Sequence, residues 1–138
     1  MMTIYRTTRI GMVLAVILAL PALAAGELAV HTENGASYVS GGVGDDERKA
    51  LEAMSPQFDL RLTMVLASGH FISDVTVRIQ DASGRTVVDT VADGPLLLAQ
   101  LQPGTYAVTC TLNGHALKQT AHVTSGTQRR LIFRWDSE

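Results

Sequence analysis

The sequence is poor in cysteine and contains more acidic than basic residues. Its single cysteine, Cys110, excludes an internal disulfide, so either an apolar core holds the fold unaided or the thiol pairs with another chain. The 13 Asp and Glu residues outnumber the 11 Lys and Arg residues. Nucleic-acid binding requires a basic surface, and this charge balance therefore disfavours a nucleic-acid partner.

Long hydrophobic runs are also missing, because the longest apolar segment, residues 10–20, is short of the roughly 20 residues that a membrane span needs. Arg6 and Arg9 precede this segment, and small residues follow it at positions 22–26. This order is typical of a secretory signal peptide. We predict a signal peptide over residues 1–25 that is cleaved after Ala24 or Ala25, with a retained anchor as the alternative.

The expected mature chain has the length of one domain. No cysteine lies at the cleavage point, which excludes a bacterial lipoprotein anchor. The interpretation is an exported protein with no membrane span after cleavage, periplasmic or, alternatively, extracellular. Cleavage removes two basic residues and no acid, which leaves 9 − 13 = −4 formal charges. We expect residues 26–56 to form an N-terminal strand, a turn and a short helix, and residues 57–138 to form the main fold of the same domain.

From residue 57 onward the chain alternates apolar and polar residues with period two. Turn signals interrupt the alternation about every 8 to 12 residues, a pattern typical of a β-sandwich or barrel. The apolar phase of two predicted strands consists of Leu60, Leu62, Met64 and Leu66, and of Val75, Val77 and Ile79. Residues 96–101 are apolar throughout except for Gln100. They form either a strand buried on both faces or a crossover; exposure of Leu97 and Ala99 would instead give an apolar patch for a partner protein.

Three turn signals divide the predicted strands. Residues 81–84 have Asp at the first and Gly at the last turn position, and Pro103-Gly104 fits the centre of a type II turn. Asn113-Gly114 predicts a type I′ hairpin, which sets a register. In that register Leu112 lies opposite His115, Cys110 opposite Leu117, Val108 opposite Gln119, and Tyr106 opposite Ala121.

The segment "VSGGVGDDERKALEAM", residues 39–54, places glycines before a predicted helix over residues 45–54. Although phosphate loops share this arrangement, Asp45, Asp46 and Glu47 occupy the position of the anion and would repel a phosphate. We expect these acids to cap the helix, and Ser55-Pro56 to end it. The same three residues are our predicted interaction surface for a basic patch on a partner. Leu51 and Met54 should pack against the sandwich.

The glycine-acid start, the segment "DGPLLLAQLQPGTYAV" and the closing "LIFRW" together resemble a group of small exported proteobacterial proteins, the carboxypeptidase regulatory-like domain proteins. The resemblance spans nearly the whole mature chain. It implies a transthyretin-like, or immunoglobulin-like, antiparallel β-sandwich with one short N-terminal α-helix, and it implies little chemistry. Domains of this kind commonly serve as accessory, folding or binding modules.

Transthyretin-related hydroxyisourate hydrolases resemble the same fold, but they end in Tyr-Arg-Gly-Ser. This chain ends in residues 133–138, "FRWDSE", where only Arg134 overlaps in kind. No catalytic residue is therefore carried over from these enzymes.

Candidate catalytic and metal-binding residues are few. Cys110 lies in the apolar phase of its strand, which predicts a buried, inert thiol. His115 and Cys110 share a face, yet two ligands do not make a metal site. No Gly-x-Ser-x-Gly motif occurs. We predict a non-catalytic binding or accessory module of the cell envelope, with no cofactor and a possible envelope protein partner. A periplasmic carrier of a small ligand or metal is the alternative, and a hydrolase is a more remote one.

Overall fold

The computed structural model of the protein describes residues 28–138. The predicted signal peptide, residues 1–25, lies outside the described residues.

Residues 28–138 form two β-sheets and one α-helix, which confirms the predicted mostly-β sandwich. One sheet has five strands in the order β1-β2-β6-β3-β9, and the other has four in the order β5-β4-β7-β8. The strands are β1 His31–Glu33, β2 Ala36–Gly41, β3 Leu60–Leu66, β4 Thr76–Gln80, β5 Thr86–Val91, β6 Leu96–Gln100, β7 Gly104–Leu112, β8 His115–Val123 and β9 Arg129–Trp135. The helix, α1, is Asp45–Met54, with the bounds that the sequence predicts.

Neighbouring strands are antiparallel with one exception. β9 runs parallel to β3, from Leu60 opposite Arg129 to Leu66 opposite Trp135. The chain leaves β8 in the four-stranded sheet and enters the five-stranded sheet at β9. A parallel pair cannot be joined by a hairpin, so β9 takes its place through this crossing between the sheets.

The main core lies between the two sheets and consists of the inward phase of the alternating strands. Leu60, Leu62 and Met64 on β3 are buried, as predicted, and Leu66 is partly buried against them. Val75, Val77 and Ile79 meet them from the other sheet. The predicted hairpin face is confirmed as well, because Tyr106, Val108, Cys110 and Ala121 are buried and Leu117 packs against the core.

The helix α1 covers the outer face of the five-stranded sheet. Its Leu51 is buried in a second apolar cluster with Val39, Phe58, Leu96 and Leu98, and Met54 packs partly against that cluster. Within residues 28–138 no helix is long and apolar enough to cross a membrane.

Strand β6 is therefore buried on both faces, which settles the open question about residues 96–101. Leu97 and Ala99 face the main core, whereas Leu96 and Leu98 face α1. The strand lies between β2 and β3 in the sheet. Burial on both faces explains the continuous apolar run.

The Asn113-Gly114 turn has φ angles of 47° and 82°, the two positive values that a type I′ turn requires. The register follows as predicted, with Leu112 opposite His115 and Cys110 opposite Leu117. In the turn between β4 and β5, the Gly84 N–H donates to the Asp81 carbonyl at 2.9 Å.

One sequence prediction about proline is wrong, and another is right about where α1 ends but wrong about the reason. Gly104 has no positive φ and already belongs to β7, so Pro103-Gly104 is not a type II turn. Ser55 keeps helical angles although Pro56 follows it, and the chain continues from α1 into a short 3₁₀ helix, Ser55–Gln57. Proline is tolerated there because its missing N–H would have no partner in the first turn of a helix.

Candidate functional site

The glycine loop, residues 41–44, joins β2 to α1 and is closed by an internal carboxylate. Glu47 Oε1 accepts the Gly42 N–H at 2.8 Å, and Gly42 and Gly44 have φ angles of 102° and 86°. The Glu47 carboxylate thus fills the position in front of the loop where a phosphate would bind. Of the three predicted surface acids, Glu47 points inward and is half-buried, whereas Asp45 and Asp46 are exposed.

The prediction that these acids cap α1 is wrong. The N-cap residue is Gly44, and no side chain makes the capping hydrogen bond. Asp45 instead pairs with Arg48 at 3.3 Å, and its side chain is 84% exposed. Asp45 and Asp46 still lie in the first turn, where a negative charge complements the helix dipole, but their oxygens are largely free for solvent or a partner.

A groove opens beside the glycine loop, between the start of α1 and the segment that follows β3. Its volume is about 290 Å³. We call it the loop groove; it is lined by Gly42, Val43, Gly44, Arg48, Phe71, Ile72, Ser73 and Pro95. Val43 is 61% exposed and Phe71 is 54% exposed, although both are large and apolar. Two such side chains on one groove form a patch that water solvates poorly.

Arg48 connects the acidic and the apolar parts of this surface. Its guanidinium carbon lies 5.4 Å from the centre of the Phe71 ring, within the range of a cation–π contact. The same guanidinium contacts Asp45. The groove therefore combines an aromatic face with an exposed aliphatic side chain, and the exposed carboxylates of Asp45 and Asp46 lie beside it in the first turn of α1.

Cys110 is fully buried, and burial raises the pKa of its thiol to about 12. This agrees with the predicted buried thiol. His115 is exposed at the end of β8. Within residues 28–138, no group of three or more His, Cys, Asp or Glu side chains could hold a metal ion.

Comparison of the chain with protein-family models and with curated proteins found no match.

Sequence reasoning found Asp45 and Asp46 but missed Val43 and Phe71. Val43 stands between glycines, and Phe71 follows a turn outside the alternating pattern, so neither belongs to a predicted apolar face. An apolar residue inside a turn segment was the available signal, because a turn normally exposes its side chains.

Proposed function

We propose that this protein is a non-catalytic binding module that docks a protein partner at the loop groove. One observation carries the proposal: Val43 and Phe71 are both exposed in the lining of the same groove, next to a first helical turn with the exposed carboxylates of Asp45 and Asp46. Fully desolvated aromatic anchors surrounded by polar rims dominate the affinity of protein interfaces. The arrangement fits a partner segment with an apolar side chain beside lysine or arginine.

The size of the groove supports a protein partner over a small ligand. Its volume of about 290 Å³ lies at the lower limit of ligand sites, which span about 300–1,000 Å³. Side chains of a partner can fill such a groove while the rest of the contact spreads over the surrounding surface. A hydrolase using Cys110 is disfavoured, because a nucleophilic thiol has to be accessible and to have a low pKa.

The proposal is tested by site-specific photocrosslinking from position 43 in cells, followed by identification and purification of the crosslinked protein. The affinity of that protein is then measured for the wild type and for Phe71→Ala. Loss of the aromatic anchor should weaken binding by roughly 30-fold, the value for an interface hot spot. Ile132→Ser is the matched control, since Ile132 is 59% exposed on β9. Equal affinities of wild type and Phe71→Ala would refute docking at the groove.

The acidic part of the surface has its own test. The double substitution Asp45→Asn and Asp46→Asn should weaken binding several-fold at low salt and have little effect at about 1 M salt, where charges are screened beyond about 3 Å. Its effect on folding should stay small, since each acid at a helix start contributes about 0.3–1 kcal/mol. A salt-independent affinity would show that the partner is not basic.

Export to the periplasm is part of the same proposal and rests on Arg6, Arg9 and the small residues at positions 22–26. The intact mass of the protein in the envelope fraction should correspond to a chain that starts at residue 25 or 26. A mass that includes Met1 would identify residues 1–25 as a retained anchor instead.

A further inference from the structure

A second concave surface lies at the opposite end of the five-stranded sheet, where the strand connections meet. It is formed by the β1–β2 turn, the residue before β3, the β6–β7 connection and the β8–β9 turn. We call it the polar depression; it has a volume of about 460 Å³ and is lined by Gly35, Ser37, Asp59, Gln100, Leu101, Gln102, Pro103, Ser125 and Gly126. Its volume falls within the range of ligand sites, unlike that of the loop groove.

The side chains of the polar depression are mostly uncharged hydrogen-bonding groups. Gln100 and Gln102 supply two carboxamides, and Ser37 and Ser125 supply two hydroxyls. Asp59 is the one charged residue in the lining, which contains no basic side chain. Leu101 is buried, so Pro103 is the main apolar side chain that a ligand could touch.

Several of these groups are held in place, and others are free to bind. Asp59 Oδ2 accepts the Leu101 N–H at 3.2 Å, and the Tyr106 hydroxyl donates to the Gln102 carbonyl at 2.6 Å. These contacts fix the β6–β7 connection. Among the described residues, the side-chain amides of Gln100 and Gln102 have no hydrogen-bond partner, and both residues are exposed. The depression therefore presents unused donors and acceptors on a fixed backbone.

The lining selects the chemistry of the ligand. An anion would meet the Asp59 carboxylate without a compensating cation. A hydrophobic ligand would leave the amides and hydroxyls without partners, which is unfavourable for each buried polar group. Hydroxyl groups match the set, since they donate to carboxylate and amide oxygens and accept from amide N–H groups.

We propose that the polar depression binds a neutral, hydroxyl-rich ligand of the saccharide class. Gln100 and Gln102 bind neighbouring ligand hydroxyls, the free oxygen of Asp59 accepts a third, and Pro103 packs against the aliphatic face of a sugar ring. The depression is open, which suits one end of a longer glycan. This site is independent of the proposed docking at the loop groove, so either proposal can fail without the other.

The test uses the side-chain amide signals of the isotope-labelled mature protein in NMR titrations. The probes are neutral trisaccharides of glucose and of N-acetylglucosamine, with glycerol phosphate as an anion and putrescine as a cation. We expect a neutral trisaccharide to shift the Gln100 and Gln102 amide signals saturably. The amide of Gln80, on β4, should not shift. Loss of both amides in Gln100→Ala/Gln102→Ala should weaken binding about tenfold or more, whereas Gln80→Ala should not.

Each result decides the proposal. Saturable shifts of Gln100 and Gln102 that are abolished in the double variant support it. Equal shifts of Gln80 would show non-specific contact, and saturation by putrescine or glycerol phosphate in place of the sugars would show that the ligand class is wrong. No shift by any neutral probe at about 50 mM, a concentration far above a millimolar Kd, would overturn the site.

Discussion

The two ends of the five-stranded sheet differ in how they are built. At the end where Gly41 faces Leu96, the glycine loop and α1 rest on a second apolar cluster, and the exposed surface is apolar and acidic. At the end where Ser37 faces Gln100, turns meet over polar side chains. The strands between them span about 13 Å at about 3.3 Å per residue. The sandwich core thus serves as a common support for two surfaces with different chemistry.

Packing holds the end at the glycine loop, whereas backbone conformation shapes the end at the polar depression. Near the glycine loop, a Cβ on Gly94 would overlap the carbonyl group of Gly41. In the polar depression, a Cβ on Gly35 would meet nothing within 4 Å, but its φ of 81° is unfavourable for other residues. Substitutions should therefore act through steric overlap at the first end and through backbone strain at the second.

The largest effect is expected for Leu51→Ala, which removes the centre of the second apolar cluster. Truncation of a buried leucine destabilises a protein by about 2–5 kcal/mol. Hydrogen exchange should accelerate most in α1 and least in β7 and β8. Leu51 contacts the outer face of the five-stranded sheet, whereas β7 and β8 belong to the four-stranded sheet. Met54→Ala is a milder control, since Met54 is only partly buried. Uniform acceleration in both sheets would show that the helix end does not unfold separately.

Gly94→Ala and Gly35→Ala test the two mechanisms directly. Gly94→Ala should lower the free energy of unfolding by about 2–3 kcal/mol, because the methyl group would overlap the main-chain atoms of Gly41. Gly35→Ala should cost about 1–2 kcal/mol, the strain of a left-handed conformation.

Asparagine separates the two cases, since it tolerates left-handed angles and is larger than alanine. Gly35→Asn should recover part of the stability lost in Gly35→Ala, whereas Gly94→Asn should be worse than Gly94→Ala. Denaturant unfolding of the four variants gives the comparison. If Gly94→Asn were more stable than Gly94→Ala, backbone conformation and not steric overlap would be the reason that position 94 requires glycine.

Cys110 reports on the core between the two ends. The thiol has a pKa of about 8.5 in an unfolded chain, and burial raises its pKa to about 12 in the folded protein. The folded protein therefore keeps the proton at a pH where the unfolded chain loses it. The contribution to stability is complete below pH ~8.5 and decreases as the pH rises toward 12; the loss is on the order of 2 kcal/mol at pH ~10.

The free energy of unfolding of the wild type and of Cys110→Ala is measured against pH. The difference between the two curves isolates the pH dependence that the Cys110 thiol causes. Below pH ~8 the two proteins should differ by a constant amount. Thiol labelling of the native wild type should be slow. Leu51→Ala should raise the rate of hydrogen exchange in α1 by a larger factor than the rate of Cys110 labelling, because Cys110 faces the main core. Rapid labelling of the native protein would contradict the burial of Cys110.

The sequence predicted those features that local chemistry determines. Asn113-Gly114 set the β7–β8 register because both residues accept a positive φ, and period-two alternation identified the inward side chains of β3 and β4. It could not predict the parallel position of β9, which depends on a crossing between sheets. Residues 96–101 stayed ambiguous because their burial by α1 is a tertiary contact.

The two proposed binding surfaces were predicted from the sequence only where their residues are contiguous. Asp45 and Asp46 follow the glycines directly, so they could be found, whereas Phe71 joins the loop groove from another connection. The polar depression combines residues from four separate segments, and none of these segments carries a motif. Local sequence patterns contain no information on such an assembly until the register of the sheet is known.

The smallest effect concerns Gln128, which connects the end of α1 to the polar end. Its side-chain amide donates to the carbonyl oxygens of Ser55 and Phe58 at 2.7 and 3.2 Å. Gln128→Ala should cost about 1 kcal/mol, because these part-buried carbonyls lose their donor. Gln119→Ala is the matched control: its amide donates to the exposed carbonyl of Ile132 at 2.7 Å, which water can replace.

Because Gln128 anchors the connection that contains Ser125 and Gly126, its loss should also weaken saccharide binding in the NMR titration. Equal stability of the two variants would show that the connection is held by β8 and β9 and not by Gln128.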